Sequence, residues 1–442
     1  MPALSARFPA SIVRWAGPRW PWQLGAVVAF WLEIRFFVDL RGYYGPFWSP
    51  VLFYLVSAAL CGCALMAQLD NPPGAGPAPL ERGRVLGSWL MALLGSVAVL
   101  YAQAPVLAGH PINVHESDIV PILQNYVSRF RSGEVVYRYI TNLPYPLFPN
   151  HLPLQWLPYV AADQLGIDYR WWSLGIGLLL GFGAYLAFLN GLRLRLLAFA
   201  LLAVLPWGLL HYFIALDSGL YAQTVELTIV AYYCVLAASI FSRSALVQAA
   251  ALVLCLLSRY SVLFWVPLFL WLLWRERGRG HALLVAALTL AGVVGIYVVP
   301  FLSKDWTIFF HALSEYKIAT MGEWSRSAEG SGHLFGGLGF AVFFYEFGGG
   351  DLAARIALLQ KAHILASVGA VALSAGAYWK LRFRLDYRTL ALVSLGFYLS
   401  TFYAFIQIPY AYLTSLTLFV GMFVLALAWR RPPAPVAENH RR

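Results

Sequence analysis

Long apolar runs alternate with short polar segments along the whole chain. A helix needs about 20 apolar residues to cross about 30 Å of hydrocarbon, and the runs lack the strict apolar–polar alternation of barrel strands. The pattern therefore predicts an all-α, polytopic integral membrane protein with about twelve transmembrane helices in a single transmembrane domain over 1–430. The predicted spans are 22–40, 47–68, 85–107, 171–190, 196–215, 220–241, 245–258, 260–274, 281–302, 352–377, 389–407 and 409–429.

The composition also indicates a membrane protein, and it argues against a nucleic-acid-binding protein, a zinc site and a disulfide framework. Charged residues make up 12% of the 442 residues, about half the share in soluble domains. The net charge of +11 does not indicate nucleic acid as a partner, because the basic residues form short clusters between apolar runs and so act on membrane orientation. The four cysteines all lie in apolar segments, which predicts neither a zinc site nor a disulfide framework.

The basic residues also predict the sidedness of the chain. With the N-terminus in the cytoplasm, most of the 31 lysines and arginines fall on cytoplasmic segments, as the positive-inside rule requires. The C-terminus, with a short tail at 431–442, is then cytoplasmic as well. Both long polar segments, 108–170 and 303–351, fall on the outer face together with most of the acidic residues. We therefore expect the polar chemistry on the outer face.

Each long outer segment carries a predicted amphipathic helix near the membrane surface. Apolar residues recur at helical spacing from Ile119 to Phe130, which predicts a helix lying in the interface. Five prolines between Pro144 and Pro158 forbid a regular spanning helix there, and 154–165 has the pattern of a second short surface helix. The second segment is again amphipathic and ends in the glycine-rich stretch SRSAEGSGH, which we expect to be mobile.

The first outer segment opens with His115, Glu116, Ser117 and Asp118. One interpretation is structural: Ser117 or Asp118 caps the following helix, with Pro121 in its first turn. The other is chemical: a carboxylate acts as a general base that the neighbouring histidine orients or tunes. Plain solvation and a metal site remain further alternatives.

The order of motifs resembles the polytopic GT-C glycosyltransferases. An acid soon after a span is followed by a glycine and a tyrosine, a Tyr-Pro-rich surface segment, a basic cytoplasmic turn, an outer aspartate, and a basic residue with a downstream proline. In this chain these features are Asp118, Gly133, Tyr137, YPLFPNHLPLQWLPYVAADQLGIDYRW, Arg193, Arg195, Asp217, Arg259 and Pro267. The resemblance covers 85–300 in order and the remainder loosely, and the two spans within 1–84 are additional to the simplest plan of the family.

The resemblance implies an inverting, mannosyltransferase-like transfer of a sugar from a polyprenyl-phosphate donor to a lipid or glycan acceptor. It also implies a bacterial inner membrane, with the active site on the outer face. Asp118 matches the catalytic base of the family, with Glu116 and His115 in supporting roles, and which of the two acids is the base stays open. Some members use a divalent ion, so Mg²⁺ or Mn²⁺ is a possible cofactor, and no other cofactor is implied.

The leaving phosphate needs cations to hold its charge. Arg259 is the main candidate, although a residue at the end of a span also serves as an interface anchor. The other donor-phosphate candidates are Tyr260, Arg326, His333 and Lys304, and the sugar or acceptor candidates are Arg138, His151, Asp217, Gln407 and Tyr410. For Asp217, a helix cap is the competing interpretation.

Three other functions compete with transfer from a lipid-linked donor. A transporter or flippase shows structural repeats and broken helices at mid-membrane, whereas this sequence has no internal repeat and few charges within its spans. A polymerase or ligase of lipid-linked glycans shares the same sequence features as a glycosyltransferase. A non-enzymatic scaffold of envelope assembly is the third alternative.

Overall fold

The computed structural model describes residues 18–69, 82–327 and 332–431. Arg7 and Arg14, the centre of the glycine-rich stretch and nearly all of the predicted tail fall outside them. Within the described residues the chain is helical without strands, and an isolated antiparallel bridge joins Ile140 and Leu147. The helices are α1 Trp20–Val38, α2 Leu40–Gln68, α3 Arg82–Gly109, α4 Ile119–Arg131, α5 Pro153–Trp156, α6 Tyr159–Gln164, α7 Tyr169–Ile176, α8 Phe182–Gly191, α9 Leu196–Leu216, α10 Gly219–Ala222, α11 Glu226–Ser239, α12 Ala245–Leu256, α13 Val266–Arg277, α14 Arg279–Val293, α15 Ile308–Arg326, α16 His333–Gly336, α17 Ala341–Phe347, α18 Leu352–Leu381, α19 Tyr387–Ala404 and α20 Ala411–Ala428.

Seven helical stretches of the described chain are long and apolar enough to cross a membrane. They are Arg41–Gln68, Arg82–Gly109, Tyr169–Gly191, Leu196–Leu216, Arg279–Val298, Leu352–Leu381 and Ala411–Ala428. An all-α membrane protein is therefore confirmed, whereas the count of twelve spans stays a prediction. The other five predicted runs also contain helices, but these are shorter or more polar. They include α11 and α12, of 14 and 12 residues.

Helix α20 lies at the centre of the bundle. Every residue from Leu413 to Ala428 is buried, as expected for a helix that is apolar on all sides. Helices α1, α2, α11 and α19 pack around it, while α3 packs on α9 and α14 on α12. The backbones at Gly181 and Ala231 lie so close together in this core that a side chain at Gly181 would collide with the backbone of Ala231.

The loops gather at two ends of the bundle, in agreement with the predicted grouping. At one end Arg430 pairs with Asp386 at 3.1 Å, and the amide of Arg431 donates to the carbonyl of Arg193. At the other end the two long segments meet, with the rings of Phe148 and His311 5.2 Å apart. The grouping is observed; the membrane side of each end stays a prediction.

The first long segment contains the predicted amphipathic helix as α4, with Pro121 in its first turn. Its apolar face packs on protein, which corrects the prediction of a helix whose apolar face lies in the membrane interface. Leu123, Tyr126 and Val127 are fully buried against the proline-rich segment and its neighbours, and the ring of Tyr126 lies 6.2 Å from that of Trp156. The segment is therefore a small packed unit, and the predicted second surface helix is divided into α5 and α6.

Helix α15 of the second long segment buries several polar residues and exposes several apolar ones. Its polar residues Glu315, Thr320 and Glu323 are buried, whereas Phe310 and Ile318 are 68% and 61% exposed. The exposed surface of this helix thus includes large apolar side chains, and its buried side includes polar ones, among them Thr320 beside the side chain of Gln407.

Candidate active site at the loop end of the bundle

Asp118 precedes α4 without capping it. Its backbone is helical, with φ −85° and ψ −10°, whereas capping residues are usually extended so that the side chain reaches the first amides. The carboxylate instead accepts a hydrogen bond from the hydroxyl of Tyr145. Ser117 donates to the carbonyl of Gln223 at 2.8 Å and is not a cap either. The capping interpretation of this motif is therefore wrong.

Glu116 has different partners from Asp118. Its carboxylate accepts hydrogen bonds from the amides of Gln223 at 3.0 Å and Asn113 at 3.3 Å. A small pocket beside it is lined by these residues and Arg170. His115 is exposed, and its backbone amide donates to the side chain of Asn113. The two neighbouring acids thus face different surroundings.

His151 lies within electrostatic range of Asp118. Its Nδ1 is 3.0 Å from the hydroxyl of Tyr126, and its carbonyl accepts from Tyr137 at 3.0 Å. Burial lowers the pKa of His151 to about 4, with opposing contributions from the charges of Asp118 and Arg259. The imidazole is therefore neutral at neutral pH, within electrostatic reach of both charges.

Arg259 is held by a buried carboxylate. Its guanidinium donates to both oxygens of Glu226, at 2.6 and 2.9 Å, and to the hydroxyl of Tyr403 at 3.4 Å. The side chains of the two charged partners are 17% and 3% exposed. Arg259 is thus not simply an interface anchor. Glu226 begins helix α11, at a break within the predicted span 220–241.

The second segment and the start of α20 complete the site. The ring of His333 lies 4.4 Å from that of Tyr410, which stacks on Tyr412 at 5.4 Å. Burial raises the pKa of Tyr410, and the charges of Glu323 and Asp118 raise it further. These interactions bring parts of the two long segments and the start of α20 into one neighbourhood.

Two further predicted residues border this neighbourhood. Arg326 pairs with Glu323 at 3.0 Å, and its charge acts on both Tyr145 and Tyr410. The side chain of Gln407 accepts from Gln360 at 3.1 Å. We call the set formed by Asp118, Tyr145, His151, Arg259, Arg326, His333, Gln407 and Tyr410 the loop-end cluster.

Other predicted residues lie in other surroundings. Arg138 is exposed and pairs with Glu134. Lys304 ends an exposed turn, Asp217 follows the last residue of α9, and Tyr260 is 40% exposed with its ring 6.4 Å from that of Phe309. The short helix after Asp217 starts without a side-chain cap, so capping does not explain this residue. The assigned roles of these four residues stay predictions.

Sequence reasoning missed Tyr145, Tyr403 and Glu323. Tyr145 carried one signal: it stands between two prolines in a segment already selected for its composition. Tyr403 and Glu323 looked like ordinary members of helices. Their proximity to Arg259 and Tyr410 depends on tertiary packing.

A divalent ion fits this site poorly. In the part of the chain that the structure describes, no group of three or more His, Cys, Asp or Glu residues is arranged to hold a metal. Mg²⁺ and Mn²⁺ favour several oxygen ligands, but Glu116 bonds to Gln223 and Asn113 while Asp118 bonds to Tyr145. We therefore assign no step to a metal ion.

Comparison with known proteins adds no assignment. No protein-family model matches the chain. No curated protein matches it, and no solved structure matches it.

Proposed function

We propose that this protein is a membrane glycosyltransferase that transfers a sugar from a polyprenyl-phosphate donor to a lipid or glycan acceptor on the extracytoplasmic face, with Asp118 as the general base. One observation carries the proposal: the carboxylate of Asp118 is free of capping and bonds to a hydroxyl within a cluster that also holds Arg259. A base and a fixed cation are the groups that this reaction needs.

The proposed step uses each of these groups once. The acceptor hydroxyl gives its proton to Asp118 as its oxygen forms a bond to the anomeric carbon of the donor sugar. The bond from that carbon to the phosphate oxygen breaks on the opposite face, so the configuration inverts. The electron pair leaves with the polyprenyl phosphate, whose charge is stabilised by Arg326 and by the N–H groups of Arg259 that Glu226 does not use. A phosphate is a stable leaving group, so a general acid is not required.

The surroundings suit a lipid-linked substrate. Helix α15 has exposed apolar residues on one side and buried polar residues on the other, so a polyprenyl chain and its headgroup would meet matching surfaces. The stacked rings of Tyr410 and Tyr412 offer a flat surface to a sugar. His333 and Gln407 border this surface with polar groups.

A transporter or flippase is the second candidate, and one observation favours it. The predicted span 220–241 is broken between α10 and α11, and Glu226 stands at the break. Broken helices with polar groups at the break are typical of transporters. Here Arg259 already neutralises Glu226, which suits a fixed structural pair better than a release site.

The test uses purified protein in vesicles with radiolabelled polyprenyl-phosphate sugars and a membrane lipid and glycan extract. We expect Asp118→Asn to lower the transfer rate about 10²- to 10⁴-fold, the usual contribution of a general base. The matched control is Glu116→Gln, which removes the neighbouring carboxylate and should cost less than about tenfold because one proton transfer needs one base.

Other outcomes overturn the assignment. Equal transfer by wild type and Asp118→Asn would show that Asp118 is not the base. A large loss only in Glu116→Gln would move the base to Glu116. No transfer from a broad donor panel, together with flux of lipid-linked sugar across the vesicle membrane, would establish the transporter.

A further inference from the structure

The contact between Tyr145 and Asp118 has the chemistry of a bound acceptor. A general base for transfer accepts a hydrogen bond from the hydroxyl that it will deprotonate. In this structure the hydroxyl of Tyr145 donates to Oδ2 of Asp118. We propose that Tyr145 occupies the position of the acceptor hydroxyl and withdraws when the acceptor binds, an inference that rests on the proposed function.

The backbone around Tyr145 is built to allow such a withdrawal. The amides and carbonyls of Ile140 and Leu147 bond to each other reciprocally, at 2.8 and 3.0 Å. Both residues are buried, whereas five of the six residues of the connecting tip, 141–146, are exposed. The base of this loop is therefore anchored while its tip is solvated, so the tip can move without disturbing the packed unit below it.

The tip moves as a small rigid piece. Pro144 and Pro146 flank Tyr145, and proline fixes its own φ angle and restricts the preceding residue to extended conformations. Displacement by rotation at the exposed Thr141 and Asn142 would carry the tyrosine away as a unit.

The environment of the phenol keeps it in the donating form. Burial raises the pKa of Tyr145, and the hydrogen bond and charge of Asp118 raise it further. The phenol thus retains its proton beside the carboxylate and resembles an alcohol. The charge of Arg326 also reaches this hydroxyl, so the position that it occupies borders the proposed phosphate site.

Two measurements test the inference with Tyr145→Phe, and Tyr139→Phe serves as the matched control. Tyr139 is a tyrosine of the same segment, 54% exposed, with its ring against Phe148. The first measurement is hydrogen–deuterium exchange of peptides covering 141–147. It reports whether the contact between Tyr145 and Asp118 holds the loop in place, and it does not require activity. We expect faster exchange in Tyr145→Phe, which removes the donating hydroxyl, and no change in Tyr139→Phe.

The second measurement is steady-state transfer. A displaced hydroxyl competes with the acceptor, so Tyr145→Phe should lower the acceptor KM about three- to tenfold and leave kcat within about twofold, since a hydrogen bond to a charged group is lost from the free enzyme only. Faster exchange together with a lower KM supports the inference.

Each remaining result overturns it in a recognisable way. Unchanged exchange in Tyr145→Phe shows that the hydrogen bond to Asp118 does not hold the loop in place. Faster exchange with a lower kcat and an unchanged KM shows that Tyr145 orients Asp118 during catalysis instead of giving way. A wild type that transfers no sugar refutes the proposed function itself, and the placeholder role with it, whatever the exchange data show.

Discussion

The ion pair between Glu226 and Arg259 gives the sharpest stability prediction. Glu226→Gln keeps the size and planar shape of the side chain but removes the charge that faces the guanidinium. The altered protein would then hold an uncompensated cation that is only 17% exposed. Arg259→Gln makes the reciprocal change, and the double variant replaces the ion pair by two neutral amides.

The magnitude follows from the geometry. Two hydrogen bonds of 2.6 and 2.9 Å join the groups, which puts the charge centres about 4 Å apart, worth about 4 kcal/mol at an effective dielectric constant of 20. Breaking a buried pair from one side costs about 3–5 kcal/mol because the remaining charge stays desolvated. We expect each single variant to lose about 3 kcal/mol. The double variant should lose less than the sum, with a coupling energy of about 2–3 kcal/mol.

The assay is the free energy of unfolding of the four proteins, measured by denaturant titration in one detergent–lipid mixture. Arg131→Gln provides a control, because its pair with Asp163 is more exposed and should contribute less than about 1 kcal/mol. A coupling energy below about 0.5 kcal/mol for Glu226 and Arg259 would refute the reasoning. It would mean that water reaches the pair and that Arg259 is not fixed by its carboxylate.

Two further predictions concern the surroundings of the cluster. The low pKa of His151, about 4, means that the unfolded state binds more protons between pH 6.5 and 4; stability should fall over that range by up to about 3 kcal/mol, and His151→Gln should flatten that part of a stability–pH profile. A side chain at Gly337 would collide with the carbonyl of Pro409, whereas Gly336 faces open space. Gly337→Ala should therefore cost about 1–3 kcal/mol and reduce transfer by displacing the neighbouring Tyr410, while Gly336→Ala should be near neutral in the same unfolding and transfer assays.

Apolar runs were sufficient to predict the helical class, because burial and lipid exposure both demand continuous apolar segments. They could not predict the break before Glu226. The carbonyls at the break are satisfied from distant parts of the chain: Ser117 donates to Gln223 at 2.8 Å, and Ser173 to Val225 at 2.9 Å. The neighbouring sequence does not indicate such distant partners, so the apolar run 220–241 was predicted to be one continuous helix.

The candidate site likewise combines residues that the sequence could predict with contacts that it could not. Asp118 was selected from its position after a span, and the structure gives it a hydroxyl partner 27 residues away. Asp118 and Glu116 differ in their hydrogen-bond partners, Tyr145 and Gln223. The spacing of the motif does not show where these partners lie, so the sequence could not tell the two acids apart. Charge alone could not separate Arg326, which belongs to the cluster, from Lys304, which lies outside it.

The exposed apolar residues of helix α15 lead us to expect that, under the proposed function, the bilayer lies directly against the site. The exposed Phe310 and Ile318 of this helix are stable against hydrocarbon or detergent tails and unfavourable against water. The same helix carries Glu323 and Arg326, so we expect the depth of this helix in the membrane surface to set the position of these charges as well. Under the proposed function we therefore expect membrane thickness and lipid composition to change the rate of transfer.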